Sequence, residues 1–227
     1  MANIYVYNNR NNDMEYYTLA ETDAMPYNIG RTLTVGEFRG SSRAGTLWTT
    51  RRAMEAFNIT RNTWGRPIHV GFAFKRIWEG GHDPMSEHYA GVAFDVGQNL
   101  DGVTRDQLRN SAISTGVWSY VEPAYLTPTW VHMDTRQTPT ACPNGGYPLV
   151  SNGSVGVYVL VVQDALNALG YTGSGLDGYF GNGTRNAVIN FQRAQGLTAD
   201  GIAGCDTLNR LTSMAAAIGQ TPTVIKP

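Results

Sequence analysis

Ser86-Glu87-His88-Tyr89-Ala90-Gly91-Val92-Ala93-Phe94-Asp95, answered further on by Trp130-Val131-His132-Met133-Asp134, is the part of this chain whose reading decides the fold of its first half. Zinc is held by imidazole and carboxylate as well as by thiolate, and a catalytic site keeps one position open for water. His88, Asp95 and His132 make such an open set, two nitrogens and one oxygen from two segments. The pattern predicts a strand over 90–96, with the small Gly91 and Ala93 leaving room beside a metal. A second short strand is expected over 130–134. Alternate side chains on a strand share a face, so Trp130, His132 and Asp134 are expected to point the same way.

Around this centre the composition is that of a folded chain. Of 227 residues 42% are hydrophobic and 15% charged, which excludes disorder, and the length suffices for one large domain or two small ones. The net charge of −1 offers no basic field for nucleic acid or acidic lipid. No nucleic-acid partner, no membrane partner and a monomer are therefore expected. No apolar run approaches the length of a bilayer span, and residues 1–10 lack a basic head followed by an apolar stretch, so no secretory signal is visible. The two cysteines, Cys142 and Cys205, are too few for a disulfide scaffold and wrongly spaced for a zinc knuckle. Free thiols are expected, with a link across the two halves as the alternative.

Along the chain, Ile4 to Tyr7 alternates as a strand does, and Tyr5, Tyr7, Tyr16, Tyr17 and Tyr27 either pack with wet hydroxyls or face a sugar. Residues 47–57 read as an amphipathic helix, 68–74 as an apolar strand, and 117–121 as another strand. Thr104-Arg105-Asp106-Gln107 reads as a capping box opening a helix that Gly116 ends. Elements are segregated rather than regularly alternating, which predicts an α+β domain with a mostly antiparallel sheet over 1–137. Residues 138–152 are rich in turn formers and read as a linker. Helices are expected over 155–169, 185–195 and 208–217, giving a small three-helix all-α domain over 153–215 with a frayed tail over 216–227. Between the helices Asp177-Gly-Tyr-Phe-Gly-Asn-Gly-Thr184 and Asp200-Gly-Ile-Ala-Gly-Cys-Asp-Thr207 both read D-G-x-x-G-x-x-T. Each is a glycine turn followed by a threonine suited to cap the next helix.

The motif S-x-H-x-x-G-x-A-x-D, present as Ser86, His88, Gly91, Ala93 and Asp95 and followed by W-V-H-x-D, resembles the zinc peptidases of the D-alanyl-D-alanine carboxypeptidase type, which act on peptidoglycan stem peptides. The repeated turn, with Gln163, Leu166 and Asn167, Ala187, Phe191 and Gln192, and Gly196-Leu197, resembles the peptidoglycan-binding module at the ends of many wall hydrolases. Together the resemblances imply a Zn²⁺-dependent peptidoglycan peptidase, a D,D-carboxypeptidase, D,D-endopeptidase or L-alanyl-D-glutamate endopeptidase, held on its substrate by the helical half. It would act at the cell wall, as a phage lysin or an autolysin. Its metal ligands would be His88, Asp95 and His132. The family's general base is a glutamate three residues before the last histidine or a histidine two before it; here those positions are Thr129 and Trp130. Asp134 is the first candidate for that role, with Glu122 and His82 as the others, and Asp134 could equally orient an imidazole. Lys75 or Arg76 falls near the family's substrate-holding arginine, and Ser86 would bond substrate or its own loop. An amidase, or a wall-binding protein with a structural metal, are the other readings.

Overall fold

The structure, a computed structural model, describes residues 1–219. Its first strand, β1 (Ala2–Asn8), alternates buried and half-buried residues, so Ala2, Ile4 and Val6 enter the core while Tyr5 and Tyr7 lie on the other face. It pairs antiparallel with β2 (Asp13–Leu19) and parallel with β3 (Thr46–Thr50), giving a three-stranded sheet in the order β2-β1-β3. α1 (Val35–Arg39) carries a complete capping box between Thr34 and Glu37. The tyrosines of this region mostly serve the fold: the Tyr17 and Tyr27 hydroxyls donate to the Glu15 carboxylate at 2.8 Å, and Tyr5 packs on Tyr16.

The helix expected over 47–57 divides in two. Thr-Leu-Trp-Thr-Thr, β-branched and aromatic, forms β3, and α2 (Arg51–Trp64) begins only after it. The Thr50 hydroxyl fixes the boundary by accepting the Ala53 amide at 3.0 Å. α3 (Gly102–Thr115) is capped by Asp101, whose carboxylate accepts the Thr104 amide at 3.0 Å, so the capping residue lies three positions before the one read from sequence. Gly116 ends the helix in a left-handed conformation, as expected.

The second sheet is built from β4 (Val70–Phe72), β5 (Ala93–Val96), β6 (Tyr120–Val121) and β7 (Val131–Asp134), all antiparallel, in the order β4-β5-β7-β6. The four expected strands exist but are shorter, the ends of each lying outside the ladder. The chain is thus α+β with mostly antiparallel sheets.

Three helices follow: α4 (Val157–Ala168), α5 (Asn182–Ala194) and α6 (Cys205–Ile218). The repeated turn has a different logic from the one expected. Gly181 and Gly204 occupy the N-cap positions, and Thr184 and Thr207 lie inside the helices. A glutamine from the preceding helix fills each turn instead. Gln163 donates to Asp177 at 2.8 Å and to Thr184 at 3.1 Å, and accepts the Asp177 and Gly178 amides at 3.0 Å. Gln192 repeats this with Asp200, Thr207 and the Gly201 amide. Both glutamines are buried, and the turn residues satisfy both ends of each amide.

The helices do not hang free of the sheets. One continuous hydrophobic core runs from Ala2 to Ala216. Asp164 of α4 receives the Arg76 guanidinium at 2.7 Å, an almost wholly buried pair whose disruption by loss of one partner costs about 3–5 kcal/mol. Tyr158 donates to Glu87 at 2.9 Å, and Tyr147, fully buried in the 138–152 segment, donates to the Ser86 carbonyl at 2.6 Å. Val150 bridges to Ala203. Cys142 and Cys205 form a disulfide, correcting the expectation of free thiols: segment 138–152 folds back along the start of α6, bringing the two Cα atoms to 4.8 Å. Helix α6 runs on to Ile218, and the frayed tail expected beyond Gly219 lies outside the described residues.

Candidate metal centre

The second sheet lays the site out as a row. Across β4, β5, β7 and the end of β6, Phe72 opposes Asp95, Asp95 opposes His132, and the Glu122 amide donates to the His132 carbonyl at 2.9 Å. Directly opposed residues share a face, so His132 stands between a carboxylate on either side. His88 joins from the turns over 86–92, which take up the first three residues of the segment expected as strand. Gly91 has φ +67°, and a Cβ there would meet the Trp48 carbonyl oxygen at 2.0 Å. The glycine therefore makes room for β3 rather than for a metal, and by doing so sets the turn that presents His88.

One donor atom each from His88, Asp95 and His132 lies within 4.8 Å of the others. His88 Nδ1 is 3.0 Å from the Ala73 carbonyl, so its proton sits there and Nε2, 3.2 Å from Asp95 Oδ2, is left as the nitrogen that could hold a metal. His132 Nδ1 is 2.7 Å from Asp95 Oδ1, and its Nε2 is 3.2 Å from Asp134 Oδ2. Asp134 is fully buried and is itself bound by Arg136, whose Nε lies 2.8 Å from Oδ1. Burial would lower the His132 imidazolium, but hydrogen bonds to Asp134 and Asp95 outweigh it and hold the group at about 9. Burial would raise Asp95, yet the two histidines keep its carboxyl far below the usual range. The donor chemistry fits a divalent cation: two oriented imidazoles face one ionised carboxylate, each with its outer partner in place.

The three residues open onto a cleft of about 360 Å³ that His82, Ser86, Glu87, Glu122 and Trp130 also line. Trp130 and His132 share this face as the strand period predicts, whereas Asp134 is buried behind His132. The His82 ring centroid is 4.9 Å from that of His88, and burial, then His88, brings His82 down to about 4. Ser86 turns its carbonyl to Tyr147. Neither Lys75 nor Arg76 reaches the cleft, and Arg76 is committed to Asp164, so the substrate-holding role suggested by their position is not open to Arg76.

Two members of the site carry no role in the sequence reading. Glu87, between Ser86 and His88, is buried; burial and then Asp134 push its carboxyl up to about 8 against the Tyr158 hydrogen bond. Arg136 pins Asp134. Arg136 lies two residues beyond Asp134, a strand-period signal that could have suggested the pair. Nothing local foretells that Tyr158 of α4 reaches Glu87.

Comparison with known proteins places the helical half. Residues 156–211 match the family described as a peptidoglycan binding domain. An N-acetylmuramoyl-L-alanine amidase of Bacillus licheniformis is 40% identical over 85 residues, 35% of this chain and 24% of its own. A zinc D-Ala-D-Ala carboxypeptidase of Streptomyces albus G is 46% identical over 66 residues, 27% of this chain and 25% of its own. A spore cortex-lytic enzyme of Oceanobacillus iheyensis is 40% identical over 63 residues, 28% of this chain and 23% of its own. The chain thus spans about a quarter of the length of these curated relatives. A match of 85 residues or fewer cannot include both the cluster beginning at His88 and the second helical repeat ending at Thr207.

Proposed function

We propose, from the premise that residues 156–211 belong to the peptidoglycan binding domain family, that the chain is a zinc-dependent peptidoglycan peptidase. Residues 1–137 supply the chemistry and residues 153–215 hold the wall. The observation that carries this reading is the convergence of His88, Asp95 and His132 on one open cleft. Structural zinc sites close with four protein ligands, whereas three ligands on a cleft leave a position for water and substrate. Zinc held there would polarise the scissile carbonyl and acidify its bound water.

The chain's own residues divide the remaining work. The Ala73 carbonyl and the Asp134 carboxylate each hold the outer nitrogen of an imidazole, fixing the tautomers that aim the other nitrogens at the centre. Asp134, the first candidate for the proton-accepting role from sequence, is buried on the far side of His132 and tied to Arg136, and we assign it this orienting role. Glu122 flanks His132 on the cleft side, and its carboxylate has no side-chain partner among the described residues. We assign it the acceptance of the water proton and its return to the leaving amine. The disulfide agrees with work at the cell wall, since such bonds persist in oxidising surroundings.

Zinc-loaded protein incubated with purified peptidoglycan should release new amine ends. His88→Ala should lose both the metal and the release while keeping its fold. Full zinc occupancy in His88→Ala overturns the ligand assignment, and no new amine ends from the wild-type chain favours a wall-binding protein with a structural metal. The names of the relatives favour a second reading, an amidase cutting between sugar and peptide. Mass spectrometry separates the two, because an amidase liberates intact stem peptides.

A further inference from the structure

The metal cleft does not end at its cluster of histidines and carboxylates. A second cleft of about 370 Å³ adjoins it, and Pro84, Met85 and Gly146 line both. The far wall of this second cleft comes from the other half of the chain, through Cys205 and Asn209 of α6. Cys142 and Asn144 of the 138–152 strap complete it, and the disulfide fastens that strap to α6. A wall tied down in this way is in place before a ligand arrives, which lowers the cost of binding.

The crossing between the clefts has an unusual backbone. Met85 holds φ +60°, a left-handed conformation uncommon outside glycine and concentrated at functional sites. Gly145 and Gly146 follow each other at φ +103° and +93°. A Cβ on Gly146 would meet the Met85 sulfur at 2.8 Å, so a side chain there would crowd the crossing. Bare backbone beside a flexible thioether suits close approach by another chain. The two clefts also differ in charge. Asp83, Glu87, Asp95 and Glu122 line the first, and no ionisable side chain lines the second. Arg136, the guanidinium on the first, is bound to Asp134. Among the described residues, neither cleft offers a terminal carboxylate a lysine or an uncommitted arginine.

We propose that the strap cleft is a second substrate subsite: a wall peptide lies through both clefts, with uncharged residues against the strap, and the bond presented for cleavage is internal. The chain then divides peptides rather than trimming a terminal residue. Asn144 and Asn209 supply neutral donors and acceptors of the kind that match peptide groups. Because α6 carries Cys205 and Asn209, the helical half completes the substrate groove as well as holding the polymer. The peptide as occupant rests on the peptidoglycan reading above; the joint groove does not.

The test is an NMR titration of the full chain, treated with chelator so that nothing is cut. A cross-linked dimer of stem peptides should shift the Gly145 and Gly146 amides and the Asn209 side-chain amide saturably, together with the Ser86 and His88 amides. Asn209 is exposed on α6, so Asn209→Trp should fill the strap cleft without disturbing the fold. It should weaken dimer binding about 10–100-fold, the worth of one buried aliphatic side chain, and Asn209→Ala should weaken it far less. Shifts confined to residues 82–88, no shifts at all, or undiminished affinity in a folded Asn209→Trp overturn the subsite. Tighter binding of a peptide-free glycan chain overturns the peptide as occupant. With zinc restored, a stem pentapeptide that loses its terminal alanine faster than the dimer is divided overturns the internal cut. Strap shifts without any cleavage sink the peptidase reading, and with it the internal cut, while the groove stands. Division of the dimer without strap shifts does the reverse.

Discussion

The turns between the helices and the metal cleft both bury polar side chains, and they do so with opposite chemistry. Gln163 and Gln192 are neutral amides whose donors and acceptors meet partners within one turn. His88, Asp95, His132, Asp134 and Glu87 are ionisable, and they interact with one another and with Arg136. A neutral, satisfied amide fixes geometry at every pH and has nothing left to exchange. A cluster of ionisable groups around an open cleft has protons and lone pairs to give. The first arrangement suits attachment and the second suits reaction.

That contrast is sharpest at Glu122. Glu122→Gln keeps shape and loses the proton-accepting oxygen, so turnover on peptidoglycan at saturating zinc should fall ~10²–10⁴-fold with metal content unchanged. Normal turnover would return the role to His82 or Asp134. The matched change in the helical half is Gln163→Ala, which strands the Asp177 and Gly178 amides and should cost about 2–3 kcal/mol in denaturant unfolding. Zinc affinity should hardly move. A Gln163→Ala protein that loses zinc as readily as a ligand variant would erase the division between the two regions. The smallest effect is expected at Asp134→Asn. The amide still accepts from His132 but no longer sets its charge, so zinc affinity should drop roughly 10–100-fold and added zinc should restore the rate. A loss of rate that zinc cannot rescue would make Asp134 the proton acceptor.

The two regions also differ in how far they could be read in advance. That His88, Asp95 and His132 come together was legible because strand period and motif spacing are local: Asp95 and His132 need only two adjacent strands to meet. The glutamine turns were half legible. The repeat announced a shared structure, but the role of Thr184 and Thr207 depends on glutamines one helix earlier, so a local reading took them for caps. The joint was mostly illegible, the Cys142–Cys205 link having been kept only as an alternative. Arg76 with Asp164, Glu87 with Tyr158, and Cys142 with Cys205 join residues 63 to 88 positions apart, and the turn formers over 138–152 look the same in a loose tether as in a fastened strap. The helix misread over 47–57 failed for another reason: β3 and α2 abut at Thr50 with no intervening loop, so two periods run together.

Gly219 has no room for a side chain, because a Cβ there would meet the Glu79 carbonyl carbon at 2.2 Å. The end of α6 thus closes against the short 3-10 turn Ile77–Glu79 near the first third of the chain. During synthesis that turn must wait, its partner surface unmade, until the residues up to Gly219 have left the ribosome. Contacts so distant in sequence slow folding, because a long loop must be ordered before they form. The sheets can collapse early, but Arg76 and Glu87 find their helical partners only once α4 has been made. The nascent protein therefore passes through a stage with its sheets assembled and their helical brace missing, the stage at which a folding helper or a protease would meet it.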